Sequence, residues 1–141
     1  MKPYLKYVFL GLAVVVIFGI YLYNKPHKNV SRSTPDFIVD AKTLFTEFEE
    51  QEEASNTKYL DKVIQVTGVV REVVADDEGR VGVTLDTGND FMGVICELQE
   101  TSKLRKEDFQ AGQEVTFKGL CSGMLMDVVL SRCVLISKPE K

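Results

Sequence analysis

The sequence predicts a mainly β domain, a five-stranded closed barrel, preceded by an amphipathic α-helix and an N-terminal transmembrane helix. Three observations lead to this fold class. Residues 7–23 contain no charged side chain, and an amphipathic helical pattern covers about residues 41–56. Beyond residue 60, two strand patterns each carry a glycine on their apolar face. A small barrel needs such glycines, because they mark the bulges and sharp bends that allow a sheet to close.

The two glycine-containing strands share one arrangement. Val66, Gly68 and Val70 fall on one face of the first, because successive side chains of a strand alternate between faces. In the second, residues 115–119, Phe117 and Gly119 again lie on one face. Two strongly coiled strands favour a closed barrel over an open sheet, since closure removes exposed edges.

The uncharged run at 7–23 is near the lower limit of length for a helix that spans a bilayer. The run ends in Gly-Ile-Tyr-Leu-Tyr-Asn, which lacks the small-residue pattern of a signal-peptide cleavage site. An uncleaved single-pass anchor is therefore favoured over a removed signal sequence. The predicted organisation is a tail at 1–6, a transmembrane helix at 7–23, a linker at 24–35 and a domain at 36–141.

Basic residues lie on both sides of the predicted span, so charge alone does not fix its orientation. They are Lys2, Lys6, Lys25 and Lys28, with His27 beside them. Because the anchor is at the N-terminus, we expect the tail in the cytoplasm and the domain in the periplasm or another extracytoplasmic space. The chain after residue 32 holds 12 Lys or Arg against 21 Asp and Glu, a formal charge of −9. This acidity disfavours non-specific nucleic-acid binding, which depends on neutralising phosphates.

The domain begins with a predicted helix over 41–56. Asp40 is a suitable N-cap, and the apolar residues that follow it recur every three or four positions, typical of one buried helix face. These residues are Ala41, Leu44, Phe45 and Phe48. The opposite, acidic face is expected to be solvated.

Alternating patterns and turn residues place the remaining elements. Five strands are expected at 62–74, 81–86, 91–98, 114–121 and 127–136, with a short helix at 102–109. The inward-facing pattern of the last strand shifts by one residue, which predicts a bulge near Ser131 and Arg132. The acidic turn at 76–80 is interpreted as a solvated hairpin turn and not as a calcium loop, since it lacks alternating oxygen ligands.

Five short strands with a helix between the third and fourth are typical of the OB-fold. The domain resembles the tRNA-anti-like family of bacterial OB-fold proteins over most of residues 41–135. The matching positions include Ala41, Leu44, Phe48, Ala54, Tyr59, Lys62, 66–70, Val94, Cys96, 112–115, Gly119, Cys121, Gly123, Val128, Leu130 and Cys133. The resemblance implies the fold, and it implies a small exported or membrane-attached protein. It implies no particular activity.

Candidate ligand-binding residues lie on the outward faces of the first three strands, because such barrels often bind ligands there. They are Thr67, Arg71, Thr84, Phe91 and Ile95. The leading helix could cover Phe91 and Ile95 equally well, and the sequence leaves both interpretations open.

The three cysteines are Cys96, Cys121 and Cys133, and buried thiols are the default interpretation. If a disulfide forms, we expect it between Cys96 and Cys133, because the third and fifth strands of an OB barrel are parallel neighbours. The only histidine, His27, lies in the linker. The sequence therefore predicts no metal site, no haem or other cofactor and no enzymatic activity.

The sequence favours a non-catalytic, membrane-anchored binding module for a protein, peptide or small-molecule ligand. The alternative is a protein that binds single-stranded nucleic acid, for which stacking aromatics and a cationic groove are needed. Phe91, Arg71, Arg80 and Lys118 are the residues available for that role.

Overall fold

The N-terminal helix is longer than the sequence predicts. The computed structural model describes residues 2–24 and 29–138, and helix α1 covers Pro3–Tyr23. Pro3 is compatible with the first turn of a helix, where its missing N–H has no partner to lose. The predicted tail at 1–6 is wrong from Pro3 onward. The helix has 21 residues, a mean hydropathy of 2.3 and no buried side chain, so its length and composition suffice to cross a membrane.

Part of the predicted linker packs on the barrel. Lys25, His27 and Lys28 lie outside the described residues. In the docked segment, residues 29–33, Val30 is only 2% exposed. The buried Lys118 Nζ donates hydrogen bonds to two backbone oxygens of the segment. The distance is 3.2 Å to the Ser31 oxygen and 2.9 Å to the Ser33 oxygen. The linker predicted over 24–35 is therefore wrong for residues 29–33, which are packed on the barrel.

A short first strand that the sequence does not predict joins the barrel. β1 covers Phe37–Asp40 and runs parallel to β2, Val63–Ala75, with Phe37 opposite Ile64. Just before β1, the Asp36 carboxylate accepts a hydrogen bond of 2.9 Å from the Val63 backbone N–H. A strand of four residues is too short to show a clear periodicity.

The leading helix is divided in two. Helix α2 covers Ala41–Glu50 and α3 covers Glu52–Tyr59. The single helix predicted over 41–56 is wrong at Gln51, where φ and ψ of −143° and 72° interrupt the helical backbone. The predicted cap is confirmed, because Asp40 Oδ1 accepts a 2.7 Å hydrogen bond from the Thr43 N–H.

Five strands close into the predicted barrel. After β2 come β3 (Val81–Leu85), β4 (Val94–Leu98), β5 (Glu114–Met124) and β6 (Val128–Ser137). β2, β3 and β4 form an antiparallel meander, and β4 then pairs in parallel with β6. β6 pairs antiparallel with β5, and β5 with β2, which completes the ring. The mainly β, five-stranded closed barrel predicted from the sequence is confirmed.

Two local predictions are wrong and one is confirmed. The third barrel strand begins at Val94 and not at Phe91, which lies in the preceding loop. The helix predicted at 102–109 is reduced to one 3₁₀ turn, Lys106–Asp108. The predicted bulge in β6 is present, because Arg132 has a positive φ of 53° and the pairing with β5 shifts there.

The glycines that suggested bending also make room for packing. A Cβ atom at Gly68 would lie 2.9 Å from Ala41 Cβ, and one at Gly119 would lie 2.5 Å from Cys133 Sγ. Both separations are shorter than an ordinary carbon or sulfur contact, so any side chain there would displace its neighbours. The first glycine lets α2 approach the barrel, and the second lets β6 fold closely over β5.

Replacing Gly119 by alanine should destabilise the domain by about 1–3 kcal/mol, because the new methyl group overpacks the fully buried Cys133 thiol. The matched control is Gly82→Ala, since the nearest atom to a Cβ there is Ile95 Cγ2 at an ordinary 3.9 Å. Urea unfolding should show a lower midpoint for Gly119→Ala alone. Equal midpoints for the two variants would contradict the proposed packing.

Glu47 connects the two leading helices. Its Oε2 accepts a 2.6 Å hydrogen bond from the Tyr59 hydroxyl and one of 3.1 Å from Lys58 Nζ. The Tyr59 hydrogen bond, followed by the Lys58 hydrogen bond and charge, lowers the pKa of Glu47 below its ordinary value of 4.5. The ionised carboxylate therefore holds α3 against α2 across the break at Gln51.

Because the folded-state pKa of Glu47 is depressed, its contribution to stability is complete above 4.5, the ordinary pKa, and is lost as the pH falls through the lower folded pKa. Replacing Glu47 by glutamine should lower the free energy of unfolding at neutral pH and flatten the acid limb of its pH dependence. Urea titrations at a series of pH values measure both effects. A Glu47→Gln variant with the same acid limb as the wild type would show that this carboxylate does not contribute.

Candidate ligand-binding groove

The outer face of β3, β4 and β6 forms an open groove with a volume of about 730 Å³. The β2–β3 hairpin and the loop that follows β4 form its sides. The groove-lining residues are Val74, Asp76, Arg80, Val81, Gly82, Thr84, Ile95, Glu97, Leu98, Gln99, Glu100, Thr101, Ser131 and Arg132. A smaller cavity of about 320 Å³ shares Arg80 and Glu100 with it. The volume of the groove is within the range of known ligand sites.

Strand alternation determines which side chains reach the groove. Val81, Val83 and Leu85 of β3 point into the barrel, and Gly82 and Thr84 point outward. Across the ladder, Thr84 lies opposite Ile95 and Gly82 lies opposite Glu97. Gly82 has no side chain, so its backbone itself lines the groove.

The bulge in β6 supplies the far wall. Arg132 adopts the left-handed backbone conformation with a φ of 53°, which non-glycine residues seldom do. The extra residue changes the register between β4 and β6, so that Cys96 lies opposite Leu130 but Leu98 lies opposite Cys133. As a result Ser131 and Arg132 both border the groove. Bulges are frequent where a strand directs a side chain towards a functional surface.

The charges of the groove are mixed and partly paired. Arg80 Nε donates a 2.7 Å hydrogen bond to Asp76 Oδ2, and Arg80 Nη2 lies 3.2 Å from Glu78 Oε2. The hydrogen bonds from the Arg80 side chain and backbone lower the pKa of Asp76, so this carboxylate stays ionised. The pairing fixes the guanidinium at the hairpin and reduces the positive charge that it offers to a ligand.

The structure brings two of the five predicted ligand-binding residues together. Thr84 and Ile95 line the groove side by side. Thr67 lies instead at the β2–β5 seam, where its hydroxyl is 2.9 Å from that of Thr116. Arg71 Nη1 donates to the backbone oxygens of Asn89 and Met92 in the β3–β4 loop. Phe91 is 88% exposed on this loop and does not line the groove.

The helices leave the groove uncovered. Residues of α2 that are buried face the barrel core, and no residue of α2 or α3 is among the groove-lining residues of the described chain. The interpretation in which the leading helix hides Ile95 is therefore wrong. Gln99, Glu100 and Thr101 also line the groove but follow β4 in a segment without periodicity, so no sequence pattern indicates them. The bulge predicted near Arg132 indicated an irregular site on the last strand. It did not indicate that β3 and β4 would form the groove beside it.

The cysteines lie inside the barrel, away from the groove. All three are free thiols and fully buried. Burial raises the pKa of Cys121 and, more strongly, that of Cys133, so both remain protonated and poorly nucleophilic. Cys96 and Cys133 lie on the parallel neighbours β4 and β6, and Cys133 Sγ donates a 3.3 Å hydrogen bond to the Leu130 oxygen. A disulfide between them stays a prediction, which intact-mass measurement with and without reductant can test.

The described residues contain no group of three His, Cys, Asp or Glu side chains arranged to hold a metal ion. The shape of the groove, with apolar strand residues and a polar border, is instead that of a binding surface.

The closed five-stranded barrel, with this strand order, is an OB-fold. The chain belongs to the tRNA_anti-like family, whose profile matches residues 1–135, as the resemblance in the sequence indicated. Among solved structures, it is similar to a lipoprotein from Klebsiella pneumoniae subsp. pneumoniae MGH 78578 that is described as a candidate nucleic-acid-binding protein. The identity is 15% and the TM-score 0.58, over 80% of this chain and 100% of the lipoprotein chain, a likeness of fold. A search of curated proteins finds no match.

Proposed function

We propose that this protein is a non-catalytic, membrane-anchored OB-fold module whose groove binds an extended segment of another protein outside the cytoplasm. The observation that carries the proposal is the uncovered face of β3, β4 and β6, with the paired residues Thr84 and Ile95 at its centre. An extended segment fits an open groove bordered by two loops better than a globular ligand does.

The composition of the groove favours a peptide. Val74 and Ile95 offer apolar surface for the side chains of a ligand. Thr84, Gln99 and Ser131 bring hydroxyl and amide groups that can hydrogen-bond to a peptide backbone. Recognition sites typically combine such an apolar floor with a few polar groups that fix orientation.

The charge of the groove favours a ligand that carries a cation. Three acids, Asp76, Glu97 and Glu100, border it against two arginines, Arg80 and Arg132. Arg80 and Asp76 pair with each other and their charges offset, so the lining keeps two acids, Glu97 and Glu100, against Arg132. Electrostatic complementarity then selects segments with Lys or Arg beside their apolar residues.

The N-terminal helix supports the anchor. Its 21 residues have the length and hydropathy of a bilayer-spanning helix. The protonated, buried thiols and the absence of a metal-binding cluster among the described residues support a non-catalytic role.

Peptide display against the full chain in nanodiscs tests the proposal. The expected ligands contain apolar and basic residues, and Ile95→Asp should weaken their binding by at least about tenfold, or 1.4 kcal/mol. The matched control is Thr46→Asp, which introduces the same carboxylate on the exposed face of α2. Failure to enrich peptides, or equal affinities for the two variants, would contradict a peptide-binding groove.

Single-stranded nucleic acid is the second candidate. The similarity to a lipoprotein described as a candidate nucleic-acid-binding protein favours it, as does the 88% exposed Phe91, a potential stacking residue. None of the groove-lining residues described above is aromatic, however. If this candidate is correct, oligonucleotide affinity must fall steeply as salt rises. Under the peptide proposal, oligonucleotides should not bind even at low ionic strength, as fluorescence anisotropy can measure.

A further inference from the structure

Three large apolar side chains project from two neighbouring loops at one end of the barrel. Leu125 and Met126 form the tip of the β5–β6 hairpin and are 96% and 70% exposed, and Phe91 in the β3–β4 loop is 88% exposed. We name these three residues the loop-tip patch. Neither the barrel core nor the groove uses them, and exposed apolar clusters of this kind mark contact surfaces.

Hydrogen bonds join the two loops, so the loops that carry the loop-tip patch are fixed relative to each other. Asp127 Oδ1 accepts a 2.6 Å hydrogen bond from the Gly93 N–H, and the Val128 N–H donates to the Gly93 oxygen. The carboxylate of Asp127 is therefore turned inward between the loops. Beside the hairpin, Leu60 at the end of α3 is 42% exposed and extends the apolar surface.

The patch lies at the end of the barrel where the chain enters β1. Asp36 contacts Val63 at the start of β2, and Val63 lies opposite Leu120 of β5. β5 continues four residues beyond Leu120 to Met124, so the hairpin tip extends past this same end. The β2–β3 hairpin, by contrast, lies at the far end of β2.

The connection to α1 keeps this end close to the membrane surface. The docked segment begins at Asn29, only five Cα steps after Asn24 at the end of α1, a reach of at most about 19 Å. Lys118 and the buried Val30 fix the docked segment to the barrel, so the domain cannot move far from the anchor.

We infer that the loop-tip patch inserts into the interfacial layer of the same bilayer that α1 enters, as a second contact between the domain and the lipid. This inference rests on the membrane anchor of the proposed function. Phenylalanine, leucine and methionine side chains gain free energy when they leave water for this layer. Asp90 is exposed next to Phe91 and limits the insertion to a shallow depth. The domain, with its formal charge of −9, suits a zwitterionic surface better than an anionic one.

The chain has no tryptophan, so a single introduced tryptophan reports on its own surroundings. Three full-length variants would be reconstituted in phosphatidylcholine vesicles with and without brominated acyl chains: Leu125→Trp, Phe91→Trp and the control Asp77→Trp. Asp77 is exposed at the opposite end of the barrel, in the β2–β3 hairpin. Circular dichroism would verify that each variant is folded, and vesicle flotation would show whether the chain is anchored.

The expected result is a blue-shifted emission maximum and strong quenching by brominated lipid for the Leu125 and Phe91 variants, with neither effect for the Asp77 variant. If the Leu125 and Phe91 probes both resemble the Asp77 control while the protein floats with the vesicles, the inference is overturned and the anchor stands. A blue shift without quenching would also overturn it, since protein then covers the patch. Failure to float would remove the anchor and this inference together, while peptide binding to the groove could still be measured.

Discussion

The seven-residue antiparallel ladder between β2 and β5 is the constraint on which the rest of the structure depends. It joins Val63–Val69 to 114–120 and turns an open sheet into a ring. Within the ladder, Val66 lies opposite Phe117, and both are fully buried. Closure defines an inner face, which the core fills, and an outer face, part of which remains open as the groove.

The close approach of these strands explains why small residues recur near the seam. Gly68 lets Ala41 of α2 lie against the barrel, and Gly119 accommodates the Cys133 thiol. The thiol occupies space that a side chain at 119 would otherwise fill, so the cysteine acts as a core side chain. Packing of this density fills the interior of the barrel, so a ligand can reach only its outer surface.

Sequence periodicity predicted the barrel because its signal is local. The alternation of Val81, Val83 and Leu85 fixed the phase of β3 and therefore placed Thr84 outside. The four-residue β1 and the docked segment could not be predicted in this way, since they depend on contacts distant in sequence. Lys118, for example, binds the carbonyl of Ser31, 87 positions away. The candidate groove was predicted only at Thr84 and Ile95, because Glu100 and Arg132 join them through the curvature of the barrel.

The two surfaces of the domain suit different tasks. The groove lies between the β2–β3 hairpin and the bulged β6, whereas the loop-tip patch lies at the end where the chain enters β1. A domain held to lipid at one end would keep its groove accessible to a passing protein segment. The docked segment contributes to this arrangement, because its hydrogen bonds to Lys118 leave only residues 25–28 between it and the end of α1.

Native-state hydrogen exchange tests the closure of the barrel most directly. If the β2–β5 ladder holds the fold together, its amides should be among the slowest to exchange and should open only with global unfolding. The amides of Val66 and Phe117 should then share one opening free energy with those of the β3–β4 ladder. Fast exchange along β2 and β5, with protection confined to the β2–β3–β4 meander, would show that the sheet is open and would contradict the account.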